Sequence, residues 1–475
     1  MNIVAVNYFR GLADAGRETL RKAGSSATRL LESELRLGVT GLRRSGKTVF
    51  VTALVDNLLR AGRLPFLDVV ATGRYRAARL QPQPDWAVPR FDYERHLADL
   101  TGPQPRWPTP TRAVSEVRLA LRYEPSSLVR RRLQAVSTLT LDIIDYPGEW
   151  LLDLGLLERD FARWSAETLA LARRGARAGL SGRWLEELDR HDPAAGAGDE
   201  TVRRLAALYT DYLKACRDST AHLSLLQPGR FLEPGELEGA PVLAFCPVPE
   251  PTGRPARGSL RAVMEQRYEA YKRTVVRRFF ADHFSRLDRQ VILVDLLGAL
   301  QAGPDAVEDM RAALTETLGA FRHGRSTWLS GLLGGRIDRV LFAATKADHV
   351  AADQHPRLRA LLEEFVDERR RAMRFEGAEV GTMAVASVKA TETVATDHDG
   401  QQVACVKGIP TGRDRPTVLY PGELPQALGD LEGDWAGRFS FLDFQPPPGL
   451  GRDGRGLANV RLDQVLQFLI GDRLA

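Results

Sequence analysis

Short apolar runs with the period of a strand recur along this chain, and stretches with the period of a helix separate them. Residues 35–40 (LRLGVT), 115–122 (SEVRLALR), 137–145 (STLTLDIID), 290–296 (QVILVDL), 339–344 (RVLFAA) and 381–388 (GTMAVASV) read as strands. After the first, TVFVTALVDNLLRAG sets Val49, Leu54, Leu58 and Leu59 at helical spacing, with Gly62 as the C-cap. Residues 82–110, rich in proline and carrying Trp86 and Trp107, read as irregular. Short apolar strands alternating with helices predict a parallel sheet covered on both faces. Residues 156–280 interrupt that alternation with helical patterning rich in Ala, Leu, Arg and Glu, broken at 194–199 (AAGAGD) and by a proline-rich loop at 226–251. The resulting division is an N-terminal helical segment (1–34), a first α/β part (35–150), a helical insertion (151–285) and a second α/β part (286–400). A C-terminal segment (401–475) follows, with β-like runs around Val403 and Val418 and a final helix near 462–469 packed on the α/β unit.

Length and composition fit this plan. The 475 residues exceed one ordinary core, and 44% hydrophobic with 27% charged content is that of a soluble globular protein. The net charge of +5 comes from 66 cations against 61 anions, a near-balance that disfavours a nucleic-acid footprint. Cys216, Cys246 and Cys405 show no CxxC pairing, which points to a reducing compartment. The N-terminus is too polar for a signal h-region and no run is long enough to span a membrane, so the expected location is cytoplasmic. An amphipathic helix near residues 8–35 leaves peripheral membrane contact open; the plainer reading packs it on the α/β unit.

The first strand runs into Gly41-Leu42-Arg43-Arg44-Ser45-Gly46-Lys47-Thr48, which matches the P-loop pattern GxxxxGK[ST] between a strand and a helix. Backbone N–H groups of such a loop cradle phosphates, Lys47 reaches the terminal ones and the Thr48 hydroxyl holds Mg²⁺. Asp145-Tyr146-Pro147-Gly148 ends another strand. There Asp145 is the expected carboxylate on the Mg²⁺ side, and the Gly148 N–H is expected to sense the γ-phosphate. Thr345-Lys346-Ala347-Asp348 resembles the [NT]KxD guanine motif. The Asp348 carboxylate would take two N–H donors of guanine, a pair that adenine does not offer, and the Lys346 stem would lie over the base. Ser387 and Val388, in ASVK at the next strand end, match a base-contacting loop more loosely. All four would meet at the carboxyl edge of one sheet, where open α/β sheets bind ligands. The threonine completing Mg²⁺ coordination should precede the second strand, leaving Thr109 or Thr111, with Thr111 preferred.

Two residues bear on turnover. Glu149 follows the DxxG glycine where a glutamine orients water in many small GTPases, so slow hydrolysis is expected. Arg44 is a candidate internal arginine finger, because the loop resembles the GxxRxGK[ST] of guanylate-binding proteins; otherwise it is an exposed loop cation. Asp397-His398-Asp399-Gly400 reads as a turn between strands, and Phe439, Phe441 and Phe444 read as core.

With these motifs, WPTPTRAVSEVRLAL, LDIIDYPGEWLLDL, DRQVILVDLLGAL, ATKADHV and VRLDQVLQFLIGD, the chain resembles the bacterial YcjX-like family of P-loop GTP-binding proteins from about residue 8 onward. The resemblance implies a cytosolic, stress-associated GTPase-like protein with a helical insertion after DxxG. It also implies nucleotide-binding roles for Lys47, Thr48, Asp145, Gly148, Lys346 and Asp348. The expectation is therefore an α/β P-loop NTPase that binds GTP or GDP with Mg²⁺. Its γ-phosphate orders the 70–111 loop and the segment after Gly148, and its 151–285 insertion reports that state to a protein partner. Two rivals stand beside this reading: an ATP-dependent P-loop enzyme, and a scaffold that binds nucleotide without turnover.

Overall fold

Leu35, Leu37 and Val39 alternate with Arg36, Gly38 and Thr40 in the first strand, β1 (Ser33–Gly41), and all three are fully buried. The computed structural model describes residues 33–475 apart from 43, 112, 128–130, 133, 252–255, 321–336, 376–377, 399–400, 432–434 and 436. The expected N-terminal helical segment lies outside the described residues except Ser33 and Glu34, which open β1. After β1 come α1 (Lys47–Arg60), β2 (Tyr75–Gln81), α2 (Tyr93–Thr101), β3 (Ser115–Tyr123) and β4 (Ser137–Asp145). A run of helices follows: α3 (Gly148–Leu152), α4 (Phe161–Ala172), α5 (Gly175–Leu188), α6 (Asp199–Asp218), α7 (Leu260–Tyr271) and α8 (Arg277–Asp282). Then come β5 (Arg289–Val294), α9 (Leu296–Ala302), α10 (Pro304–Ala320), β6 (Arg339–Ala344), α11 (His355–Phe375) and β7 (Glu379–Ala384).

These seven strands form one sheet in the order β2-β3-β4-β1-β5-β6-β7. β4, β1, β5, β6 and β7 are mutually parallel; β3 runs antiparallel to β4, and the edge strand β2 pairs antiparallel with β3. Helical crossovers impose the parallel pairings, and the shorter link between β3 and β4 permits the antiparallel one. The parallel strands are covered on both faces, as their unbroken apolar runs require. Val291, Leu293, Leu341 and Ala343 point to the face packed by Val51 and Leu54 of α1. Ile292, Val294, Val340, Phe342 and Ala344 point to the face packed by Leu314 of α10 and Leu361 of α11. The C-terminal helix α12 (Leu462–Ile470) lays Val465, Leu466 and Leu469 into the first of these cores.

The helices between β4 and β5 have their own core of rings. Trp164 stacks on Tyr268 at 4.9 Å and Trp184 on Tyr212 at 5.3 Å, with Tyr209, Phe245 and Tyr271 fully buried around them. A nearly buried ion pair, Arg177 Nη2 to Asp309 Oδ1 at 2.5 Å, ties α5 to α10 and so anchors this helical unit to the sheet. Burying two charges is tolerated because Asp309 also accepts the Leu225 N–H at 2.8 Å and Arg177 donates to the Leu225 carbonyl at 2.7 Å.

Some elements differ from the sequence reading. Residues 82–110 are not wholly irregular, since they hold α2, and the 70–111 stretch expected as a loop also holds β2, paired along β3. Tyr93 and Leu100 of α2 are buried on one helical face, a spacing hidden among prolines. β8 (Thr391–His398) has too few apolar residues to read as a strand, yet it pairs with β9 (Gln401–Gly408), which pairs with β10 (Thr417–Leu419). Asp399 and Gly400, between the paired His398 and Gln401, lie outside the described residues. Phe439 and Phe444 are buried as core.

Candidate functional site

Register brings the strand ends together. Val39 pairs with Asp145, Gly41 with Leu293, Val294 with Ala344, and Ala344 with Ala384, so β1, β4, β5, β6 and β7 finish along one edge. Because β3 is antiparallel, Ser115 lies opposite Asp145 and the segment before β3 reaches the same edge. A cavity of about 700 Å³ opens there.

The loop from Gly41 to Thr48 forms one wall. The Ser45 N–H bonds the Leu42 carbonyl at 3.1 Å, and a Cβ on Gly41 would lie 2.2 Å from Ser45 Oγ. Gly46 takes φ +76° at the mouth of α1, where the backbone turns into the helix. Lys47 Nζ bonds Asp145 Oδ1. Asp145 Oδ2 is buried without a hydrogen-bond partner. Thr48 Oγ1 lies 3.2 Å from Thr111 Oγ1 and accepts the Thr111 N–H at 3.3 Å, whereas Thr109 is exposed. Two hydroxyls and an unsatisfied carboxylate oxygen are hard donors that suit Mg²⁺. Arg43 lies outside the described residues.

Gly148 abuts this loop. A Cβ there would meet the Gly41 carbonyl oxygen at 2.3 Å and Leu42 N at 3.3 Å, so only glycine allows the approach. The next residue is gripped from the other side, because a Cβ on Gly229 would lie 2.2 Å from the Glu149 carbonyl oxygen. The Gly229 N–H donates to Asp153 Oδ1 at 2.8 Å, Tyr271 O–H to Asp153 Oδ2 at 2.5 Å, and Gln227 Nε2 to the Leu152 carbonyl at 2.6 Å. The Arg230 guanidinium sits 3.3 Å over the Trp150 ring. Burial pushes the Asp153 carboxyl up to about 7, against the hydrogen bonds from Tyr271 and Gly229. The segment after Gly148 is thereby clamped between the phosphate loop and the helical unit. Arg44, at φ +63°, also turns toward that unit, with Nη1 3.1 Å from His222 Nε2.

The opposite end of the cavity is built by the β6 and β7 ends. The Thr345 N–H bonds the Val294 carbonyl at 2.9 Å, and Lys346, at φ +58°, donates to Asp295 Oδ2 at 2.7 Å. Burial opposes charge on both partners, yet their attraction brings Asp295 below the usual carboxylate range and Lys346 above its ordinary value. Asp348, nearly buried, accepts the Ala390 N–H on Oδ2 at 2.7 Å, and Thr391 Oγ1 donates to its carbonyl. Ser387 and Val388 line the cavity beside it.

Gly41, Leu42, Arg44, Ser45, Gly46, Lys47, Thr48, Thr111, Glu149, Lys346, Asp348, Ser387 and Val388 therefore line one cavity, with Asp145 and Gly148 packed behind its loop. Sequence reading missed Asp295, which looks like a strand-end acid, and Asp153, Gly229, Arg217 and Glu233, which no local pattern marks. The helical unit's share of the wall (Arg217, Asp218 and Glu233) is visible only in three dimensions.

The chain is similar to known proteins over nearly its whole length. The model of the YcjX-like family matches residues 35–474. The Ras-like GTPase YcjX of Escherichia coli is 40% identical over 459 residues, covering 94% of this chain and 97% of that one. Its namesake from Shewanella oneidensis is 36% identical over 479 residues, covering 96% and 97%.

Proposed function

The chain belongs to the YcjX-like family, and on that premise we propose that it is a Mg²⁺-dependent GTP-binding protein whose slow hydrolysis runs a molecular switch. The observation that carries this reading is the meeting, in one cavity, of a phosphate loop, paired Thr48 and Thr111 hydroxyls, and a fixed Asp348 carboxylate. Both curated relatives bear the name Ras-like GTPase. Loop N–H groups and Lys47 hold the phosphates, and Asp348, aimed by Ala390, takes the guanine N1–H and 2-amino donors. Thr48, Thr111 and Asp145 would hold Mg²⁺, which supplies charge neutralisation at the terminal phosphates. Glu149 places a carboxylate near the attacking water and a negative γ-phosphate, which accounts for a slow rate.

The clamp around Gly148 to Asp153 gives the switch its output. Gly148 moves with the phosphate loop and Glu149 moves with Gly229, so the 151–285 insertion carries the nucleotide state to a protein partner. The setting is a stress-related process in the bacterial cytoplasm; among the described residues no helix is long and apolar enough to cross a membrane. Titration of the full chain with fluorescent GTP and ATP, with Mg²⁺ and with EDTA, tests the proposal. Tighter GTP binding that EDTA weakens is expected. Equal or tighter ATP binding would overturn the guanine assignment, and GTP recovered intact after long incubation with Mg²⁺ would leave a binding scaffold.

A further inference from the structure

Phosphoryl transfer spreads negative charge over the γ-phosphoryl oxygens, and a cation aimed at them is worth roughly 10³–10⁵ in rate. Two described cations belong to the phosphate loop. Lys47, which bonds Asp145, is already assigned to the phosphates, and Arg44 lines the cavity with Nη1 3.1 Å from His222 Nε2. A third cation enters the cavity wall from the opposite side: Arg217, at the C-terminal end of the 20-residue helix α6.

Three observations place and characterise it. The stretch holding Arg217 and Glu233 is pinned at the phosphate end of the cavity, because His222 meets Arg44 and Gly229 meets the Glu149 carbonyl. Its guanidinium is held loosely, with bonds of 3.2 and 3.4 Å to Asp218, 3.4 Å to Glu233 and 3.5 Å to the Leu232 carbonyl. Charge-assisted bonds that serve structure run nearer 2.7–2.9 Å. Arg177, in the same helical unit, supplies the contrast: it bonds Asp309 at 2.5 Å and the Leu225 carbonyl at 2.7 Å, with a side chain 4% exposed. Arg217, 21% exposed, is parked between two carboxylates that face the cavity with it.

We propose that Arg217 is the catalytic arginine that the insertion supplies to GTP hydrolysis, an inference that rests on the GTPase reading above. The water oxygen forms a bond to the γ-phosphorus while the bond from that phosphorus to the β,γ-bridging oxygen breaks, its electron pair staying on the β-phosphate. The water proton leaves with inorganic phosphate, and GDP remains. Arg217 stays protonated throughout and donates hydrogen bonds to the γ-phosphoryl oxygens, exchanging Asp218 and Glu233 for a more highly charged acceptor. Hydrolysis is thereby tied to the insertion's position, since displacing α6 withdraws the cation.

Single-turnover GTP hydrolysis by the full chain, together with affinity for a non-hydrolysable GTP analogue and for GDP with aluminium fluoride, tests this. Arg217→Ala should slow hydrolysis by at least about 10²-fold, change analogue affinity less than about threefold, and abolish the gain in affinity from aluminium fluoride. Arg217→Lys keeps a charge for Asp218 and Glu233 but lacks the planar fork. It should fold as the wild type does, and still hydrolyse at least about tenfold more slowly. If Arg217→Ala fails to fold, Arg217→Lys decides. Wild-type rates in either folded variant, or a rate loss matched by loss of analogue affinity, would overturn the assignment. Absence of GTP binding by the wild type would instead overturn the GTPase reading, so the two failures are distinct.

Discussion

Replacing Asp153 by asparagine probes the clamp between the DxxG segment and the insertion through its stability. The carboxyl is buried, accepts the Gly229 N–H at 2.8 Å and the Tyr271 O–H at 2.5 Å, and is pushed up to about 7. An unfolded chain would titrate it near 3.9. Between about pH 4 and pH 7 the folded state therefore holds a proton that the unfolded state has released. Stability contributed by the protonated carboxyl is complete below that window and falls as pH rises through it, by about 1.4 kcal/mol per unit and roughly 4 kcal/mol in all. Asparagine has the shape of the protonated acid, with a carbonyl for the Gly229 N–H and an amide N–H for the Tyr271 oxygen, and it does not titrate. The variant should thus exceed the wild type in stability by about 1.5 kcal/mol at pH 5 and by about 4 kcal/mol at pH 8. Urea unfolding at several pH values, followed by fluorescence of the buried Trp150, Trp164 and Trp184, measures the difference. A gap that stays constant or narrows from pH 5 to pH 8 would refute the reasoning.

Other substitutions address the nucleotide end. Gly148→Ala would place a methyl 2.3 Å from the Gly41 carbonyl oxygen; the expected result is a folded protein whose single-turnover GTP hydrolysis is at least about tenfold slower, and a wild-type rate would count against the close approach. Asp348→Asn keeps the shape but exchanges one acceptor for a donor, so affinity for GTP should fall about 10²-fold while xanthosine triphosphate, with a carbonyl at C2, binds better than GTP. Competition titration reads both, and an unchanged preference for GTP would remove Asp348 from base recognition. Thr111→Ala takes away the hydroxyl 3.2 Å from Thr48 Oγ1 and should raise the Mg²⁺ concentration for half-maximal hydrolysis about tenfold; an unchanged Mg²⁺ dependence would assign Thr111 a packing role.

Legibility of this molecule in its sequence followed the distance over which each feature is built. The P-loop, DYPG and TKAD stretches are contiguous because a strand end, its turn and the following helix are local, so their residue types and order were visible before any contact was known. The covered parallel strands were equally plain, since burial on both faces leaves unbroken runs such as VILV at 291–294. β2 and β8 escaped because YRAARLQ and TETVATDH are polar enough to read as loop, and only their partners make them strands. Lys346 with Asp295 and Asp153 with Gly229 are separated by 51 and 76 residues. Nothing within either segment of such a pair announces the other.

Consecutive residues Gly148 and Glu149 explain why the insertion belongs to the site instead of hanging from it. One is packed on the phosphate loop at Gly41 and the other on the insertion at Gly229, each so closely that a single methyl would collide with a carbonyl oxygen. With one peptide bond between the two contacts there is no slack to absorb a shift in either. In the proposed switch, a movement of Gly148 that follows the terminal phosphate would be passed to Gly229, and through Asp153 and Tyr271 to α7, the helix that carries Tyr271. The same rigidity works in reverse. A partner that repositions the insertion would move Glu149 and Arg217 together, and with them the two side chains that set the hydrolysis rate in this reading.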